Sequence, residues 1–269
     1  MKALWPSWKS VKDRLAAKEL LLFLDFDGTL APIVSKPELA RIPQETLDLL
    51  KTLSETGSCK IAIISGRELS DVKQKIGLKN ILYAGNHGLE LEGPRLRHTF
   101  FEFAEFRAIL DKVKSDLEYV VSTFKGSFIE DKGLTLSLHF RLVPPEKLIA
   151  LRSAVRETLI HYSVKNLLRV KKGKMVFEIR PPVNWDKGKV VLWLLARWKF
   201  ALADKKAIPV YIGDDTTDED AFTALKGKGV TIVVGKPEQT AAQFYINSQG
   251  EINRLLSSIA ELKKTNSHG

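Results

Sequence analysis

Short apolar runs, each closed by a polar or glycine-rich turn, recur near both ends of the chain. They read ELLLFLDFDG (19–28), CKIAIISGR (59–67), NILYAGNHG (80–88), AIPVYIGDD (207–215) and GVTIVVGK (229–236). Helical patterns follow them. Between the first two lies PQETLDLLKTLSETG, where Leu47, Leu50 and Leu53 share one helix face and Gly57 provides a stop. Strands apolar on both faces that alternate with helices predict an α/β core, a parallel sheet covered by helices. Ligands of such sheets sit beyond the carboxyl ends of the strands, where the residues capable of chemistry gather here.

From residue 102 to 184 the rhythm differs. A helical stretch over 101–124 leads to strands near 127–131 and 134–141, and a second helix over 145–162 leads to strands near 167–171 and 174–180. GLTLSLHFR alternates strictly, with Leu134, Leu136, Leu138 and Phe140 on one face and Thr135, Ser137, His139 and Arg141 on the other. Such alternation marks an antiparallel strand with one polar face. The pattern predicts an inserted α+β module, αββαββ, over 102–184, with the core formed by 1–101 and 185–269.

Charge changes the picture only in part. The formal charge is +10, which suits nucleic acid, an anionic membrane surface or a small anionic substrate. One dense basic segment is KNLLRVKKGK, Lys165 to Lys174, but no nucleic-acid-binding signature accompanies it, and no nucleic-acid partner is expected. At the N-terminus Trp5, Trp8, Val11 and Leu15 fall at helical spacing among lysines. That pattern fits a helix on a membrane surface or one docking its tryptophans on the parent domain; the second is the commoner use of such a face. No apolar run is long enough to span a bilayer and the first residues lack a signal-peptide core, so a cytoplasmic, monomeric protein is expected. Cys59 is the only cysteine, which excludes an internal disulfide.

The chemistry begins at Asp25 and Asp27. Side chains two apart on a strand share a face, so both carboxylates point to one site while Phe26 turns into the core. Paired carboxylates repel unless a cation or a shared proton intervenes. With a third acid from YIGDDTTDEDAF, where Asp214, Asp215 and Asp218 follow another strand, the set suits Mg2+, a hard ion held by few carboxylates. Ser65, Gly66 and Arg67 offer a hydroxyl and backbone N–H groups to an anion. Lys187 opens a late helix, where an ammonium opposes the helix dipole and so wants an anionic partner.

DFDGTL, SGR, a lysine heading a late helix and GDDTTDEDAF resemble, in order and spacing, the motifs of the haloacid dehalogenase-type phosphatases. IISGR, GNHGLE, EDKGLTLSLHFR, FEIRP with WDKG, and the long acidic motif resemble the trehalose-6-phosphate phosphatase branch over roughly residues 20–258. The resemblance implies a Rossmann-like core with an inserted cap. It also implies that Asp25 takes the phosphoryl group as an aspartyl phosphate and that Asp27 serves as acid, then base. Mg2+ would sit on Asp25, the Asp27 carbonyl and Asp214, with Asp215 or Asp218 ordering its waters. Lys187, Ser65 and Thr29 would hold phosphoryl oxygens, beside Gly66 and Arg67. Glu130, Lys132, Arg141 and Glu178 on the polar cap face, with Asn86 and His87 on the core side, would bind the sugar; His139 is set aside although it faces the same way. A free aspartate has a pKa of about 3.9, so the role of Asp27 as an acid needs help from its surroundings. Another sugar phosphate as substrate, a non-catalytic regulatory module and a phosphoacceptor domain remain open alternatives, and a trehalose-6-phosphate synthase is a candidate partner.

Overall fold

The computed structural model describes residues 1–16, 19–100, 104–173, 175–202 and 206–265. It divides into two compact units, Met1–His98 with Trp185–Gly269, and Thr99–Asn184. Residues 101–103, expected to open the first cap helix, and Lys174, expected to open its last strand, lie outside the described residues.

The first unit is built on a nine-stranded sheet. In chain order its strands are β1 (Lys2–Ala3), β2 (Glu19–Leu24), β3 (Cys59–Ile64), β4 (Leu82–Gly85), β5 (Glu90–Gly93) and β6 (Leu96–Thr99). After the inserted unit, whose strands are β7 (Phe128–Asp131), β8 (Leu136–His139), β9 (Arg169–Gly173) and β10 (Val176–Arg180), come β11 (Ala207–Gly213), β12 (Val230–Val234) and β13 (Phe244–Ile246). The spatial order is β1-β13-β12-β11-β2-β3-β4-β5-β6, and pairing is parallel from β1 through β4 and antiparallel between β4 and β5. Chain order runs outward from β2 to β4 on one side and from β11 to β13 on the other. The gap between β2 and β11 is therefore the topological switch point, where doubly wound sheets bind their ligands.

Leu20, Leu21, Leu22, Phe23 and Leu24 are fully buried, as a central strand covered on both faces requires. Register aligns the strand tips: Leu24 pairs with Ile212 on one side and Ile63 on the other, so Asp25, Ser65 and Asp214 emerge together. The helices of this unit are α1 (Trp8–Ala16), α2 (Gln44–Glu55), α3 (Leu69–Ile76), α6 (Lys187–Leu202), α7 (Glu219–Ala224) and α8 (Ile252–Thr265); α4 (Ala104–Thr123) and α5 (Leu148–Val164) belong to the insert.

The N-terminal segment packs onto the core. Val11 and Leu15 of α1 are buried, Trp5 and Trp8 lie against the main cluster, and the Arg254 guanidinium stacks 3.8 Å from the centre of the Trp5 ring. Trp5 Nε1 also donates to Glu251. β1, β5, β6 and β13 have no counterpart in the sequence reading. β1 and β13 are very short, and β5 and β6 are polar strands near an edge, so neither class carries a long apolar run.

In the second unit β7-β8-β10-β9 form an antiparallel sheet. Leu136, Leu138, Phe177 and Ile179 cluster with Leu110, Val113 and Leu117 of α4 and Leu151, Val155 and Leu159 of α5, so both helices cover one face. Register places Glu130, Ser137, Glu178 and Lys171 in one row across the other face.

Candidate active site

Asp25 leaves the tip of β2 and Lys187 opens α6. The Lys187 ammonium donates to Asp25 Oδ1 at 2.6 Å and to Asp218 Oδ1 at 2.7 Å, and all three residues are buried. Two carboxylates thus offset a cation placed against the positive end of a helix. Burial alone would push Lys187 down, but Asp218 and Asp25 outweigh it and the net direction is up. Asp25 is pushed well above the carboxylate range, first by burial and then by Asp218 and Asp214 against the pull of Lys187. Asp214 is pushed up to about 7, by burial and next by Asp218. Three carboxylates facing one ammonium leave an excess of negative charge that a further cation relieves.

Oxygens of Asp25, Asp214 and Asp218 all lie within 4.8 Å of one another. The buried Oδ1 of Asp214 has no hydrogen-bond partner, as expected of an oxygen kept for an ion. Hard oxygen donors fit Mg2+ or a similar divalent ion. Gly28 shapes this space: at φ +83°, a Cβ there would lie 2.1 Å from Asp214 Oδ2. Asp218 is otherwise engaged, because its Oδ2 accepts the N–H groups of Asp214 and Asp215 at 3.0 Å each. Asp215 accepts from its own neighbour Thr216, through N–H at 2.6 Å and hydroxyl at 3.2 Å, which turns it into its loop.

Asp27 is paired with a different cation. Arg67 grips it in a fork, Nε to Oδ2 and Nη2 to Oδ1, both at 2.7 Å, and reaches Asp71 with Nη1 at 2.7 Å. The Arg67 guanidinium is therefore committed to carboxylates, and its contribution to an anion site is left to the backbone. Thr29 Oγ1 is buried without a hydrogen-bond partner, and Ser65 Oγ accepts the Arg67 N–H at 3.1 Å. Asn86 and His87 form a left-handed turn, φ 49° and 56°, whose N–H groups donate to the Arg67 and Ser65 carbonyls at 2.7 and 2.8 Å. The His87 ring packs so closely on Gly66 that a Cβ there would sit 2.5 Å from it.

In the insert, Glu178 Oε1 accepts from Ser137 Oγ at 2.8 Å and Lys132 Nζ at 3.2 Å, and Lys132 lies 3.7 Å from Glu130. His139 Nε2 sits 2.8 Å from Glu130 Oε2, and its ring stacks on Phe128 at 4.7 Å. The structure thus joins Glu130, Lys132 and Glu178, while Arg141 is exposed beyond the end of β8.

The sequence profile described as Trehalose-phosphatase matches residues 23–249. The chain belongs to the trehalose-phosphatase family. Trehalose-phosphate phosphatase B of Arabidopsis thaliana is 35% identical over 259 residues, covering 92% of this chain and 68% of that protein. The trehalose-phosphate phosphatase of Mycobacterium tuberculosis is 36% identical over 253 residues, covering 92% of this chain and 63% of that protein. The C-terminal domain of C. albicans trehalose-6-phosphate phosphatase shares the fold with a TM-score of 0.82 at 24% identity, over 97% of this chain and 98% of that one.

Within this trehalose-phosphatase family chain, Ser137, Tyr211 and Asp71 were not assigned to the site from sequence, and His139, which the structure joins to Glu130, was set aside. Alternation places Ser137 and His139 on the polar face beside Glu130. Tyr211 carries a weaker signal, a phenol inside an apolar strand, whose hydroxyl must find a partner once buried; it donates to Asp218 Oδ1 at 2.6 Å. No helix among the described residues is long and apolar enough to cross a membrane.

Proposed function

We propose that this chain hydrolyses trehalose 6-phosphate to trehalose and inorganic phosphate, with Asp25 as nucleophile. The observation that carries this reading is the Lys187 ammonium bridging Asp25 and Asp218 at a switch point that also holds Asp214. Asp25 attacks phosphorus as the bond to the sugar oxygen breaks, and water then hydrolyses the aspartyl phosphate, which divides one difficult step into two. Lys187, Thr29, Ser65 and the N–H groups of Gly66 and Arg67 hold the phosphoryl oxygens. Asp27 gives a proton to the departing sugar oxygen and later takes one from the attacking water. Since both its oxygens accept from Arg67, that step requires Asp27 to leave the fork and take up a proton from water before it gives one to the sugar oxygen. Mg2+ would be held by Asp25, the Asp27 carbonyl and Asp214, with Asp215 and Asp218 outside its direct ligands; when bound it neutralises charge on the phosphoryl group. Glu130, Lys132, Arg141 and Glu178 are assigned to the sugar hydroxyls, because carboxylates and cations discriminate hydroxyl patterns that an apolar wall does not.

Phosphate release across a panel of sugar phosphates, with Mg2+ and with EDTA, tests this. Trehalose 6-phosphate should lead by at least about tenfold in kcat/KM, roughly 1.4 kcal/mol, and EDTA should abolish release until Mg2+ is restored. Preference for another sugar phosphate would refute the substrate, and activity indifferent to EDTA would refute the metal.

A further inference from the structure

Tyr211 lies in the central strand β11, wholly buried, its ring edge-on to Phe222 with centroids 5.6 Å apart. Its hydroxyl donates to Asp218 Oδ1 at 2.6 Å, the same oxygen that accepts Lys187 at 2.7 Å. The other oxygen accepts two backbone N–H groups at 3.0 Å. An ionised carboxylate offers about four lone-pair sites, and these four donors fill them.

We infer that Tyr211 is a positioning residue of the phosphatase: its hydroxyl completes the donor set of Asp218, which keeps that carboxylate off the ion and leaves Lys187 shared with Asp25. The inference rests on the reading of Asp25 as nucleophile. Three carboxylates lie close enough to converge on one cation, yet Mg2+ takes few carboxylates and keeps its waters. Something must decide which carboxylate stays out. Asp218 is the one whose oxygens are fully donated, and the tyrosine supplies the only one of its four donors that is neither backbone nor the catalytic lysine. Without the phenol, Oδ1 is left with Lys187 alone. The carboxylate then turns toward the ion and draws Lys187 from its 2.6 Å contact to Asp25. That change disturbs the nucleophile while leaving the groups assigned to the sugar intact.

Tyr211→Phe keeps the ring and removes the hydroxyl. With trehalose 6-phosphate, kcat should fall at least about tenfold while KM stays within about twofold, the pattern of a group acting in the transition state. In an Asp218→Asn background the same change should add less than about twofold, because coupled residues are not additive. Mg2+ titrated by thermal shift should give a displaced midpoint in Tyr211→Phe relative to wild type, since Asp218 is no longer held off the ion. Phe222→Leu disturbs the packing on the tyrosine ring but spares the hydroxyl, and should cost less than about threefold in kcat. Unchanged kcat in Tyr211→Phe, full multiplication of losses with Asp218→Asn, an unmoved Mg2+ midpoint, or equal damage from Phe222→Leu would each overturn the inference. Wild-type protein inactive on trehalose 6-phosphate and on p-nitrophenyl phosphate alike would overturn it together with the nucleophile reading, which separates the two failures.

Discussion

Gly28 carries two constraints. Its positive φ favours glycine, and its missing Cβ leaves the volume that the Asp214 carboxylate fills. Gly28→Ala should therefore lower stability by more than about 1 kcal/mol and remove most activity, measured by denaturant unfolding and phosphate release on the same preparation. Wild-type values in both would show that the loop relaxes freely. Cys59 makes a quieter case. Burial pushes its thiol up to about 12 from 9.0. The unfolded chain releases that proton above about 9 while the folded chain keeps it, so this residue's contribution to stability is whole below pH 9 and declines from there toward 12. An alkylating reagent at pH 8 should leave native protein unmodified and label it only on unfolding; labelling of native protein would contradict the burial. Asp25 and Asp214 were legible from residue type and strand position, because acids at the end of an apolar run have few other uses; Lys187, at the start of a helix, was a weak signal until the family resemblance singled it out. The partners were not legible. The Arg67 fork on Asp27 joins residues 40 apart in sequence, and only the parallel register of β2 and β3 brings them together.

Elements with strong periodicity were the readable ones. β2, β3, β4, β11 and β12 are apolar runs, and α2 and α6 begin within a residue or two of where their patterns place them. β1 and β13 escape because two or three residues hold no period; they pair through the packing of the N-terminal segment on α8. That segment is held by the Arg254–Trp5–Glu251 contacts and by Lys263 Nζ, which donates to the Leu15 carbonyl at 2.8 Å at the end of α1. Trp5→Ala should destabilise the protein by about 2–4 kcal/mol, near the low end of large-to-small losses because the ring is half-buried. Its kcat at 25 °C should be unchanged, since the contacts of Trp5 run to the core cluster, Arg254 and Glu251. A catalytic loss without a stability loss would point to a different role for the segment.

Two compact units, one α/β and one α+β, carry different polar groups: carboxylates, a lysine and backbone donors in the first, and Glu130, Lys132, Ser137, His139 and Glu178 in the second. Glu130→Ala should spare hydrolysis of a small aryl phosphate and reduce kcat/KM for trehalose 6-phosphate at least about tenfold; equal damage to both would remove Glu130 from specificity. The charge of +10 was legible as a number and misleading as a guide, because a small anionic substrate, nucleic acid and a membrane surface all answer to it. Everything proposed for the first unit depends on Asp25 receiving a phosphoryl group. Phosphate release from trehalose 6-phosphate by Asp25→Asn, beside wild type and at matched fold by circular dichroism, is the most direct check. The variant should release none above background while wild type turns over; appreciable release by a folded Asp25→Asn would contradict the covalent route.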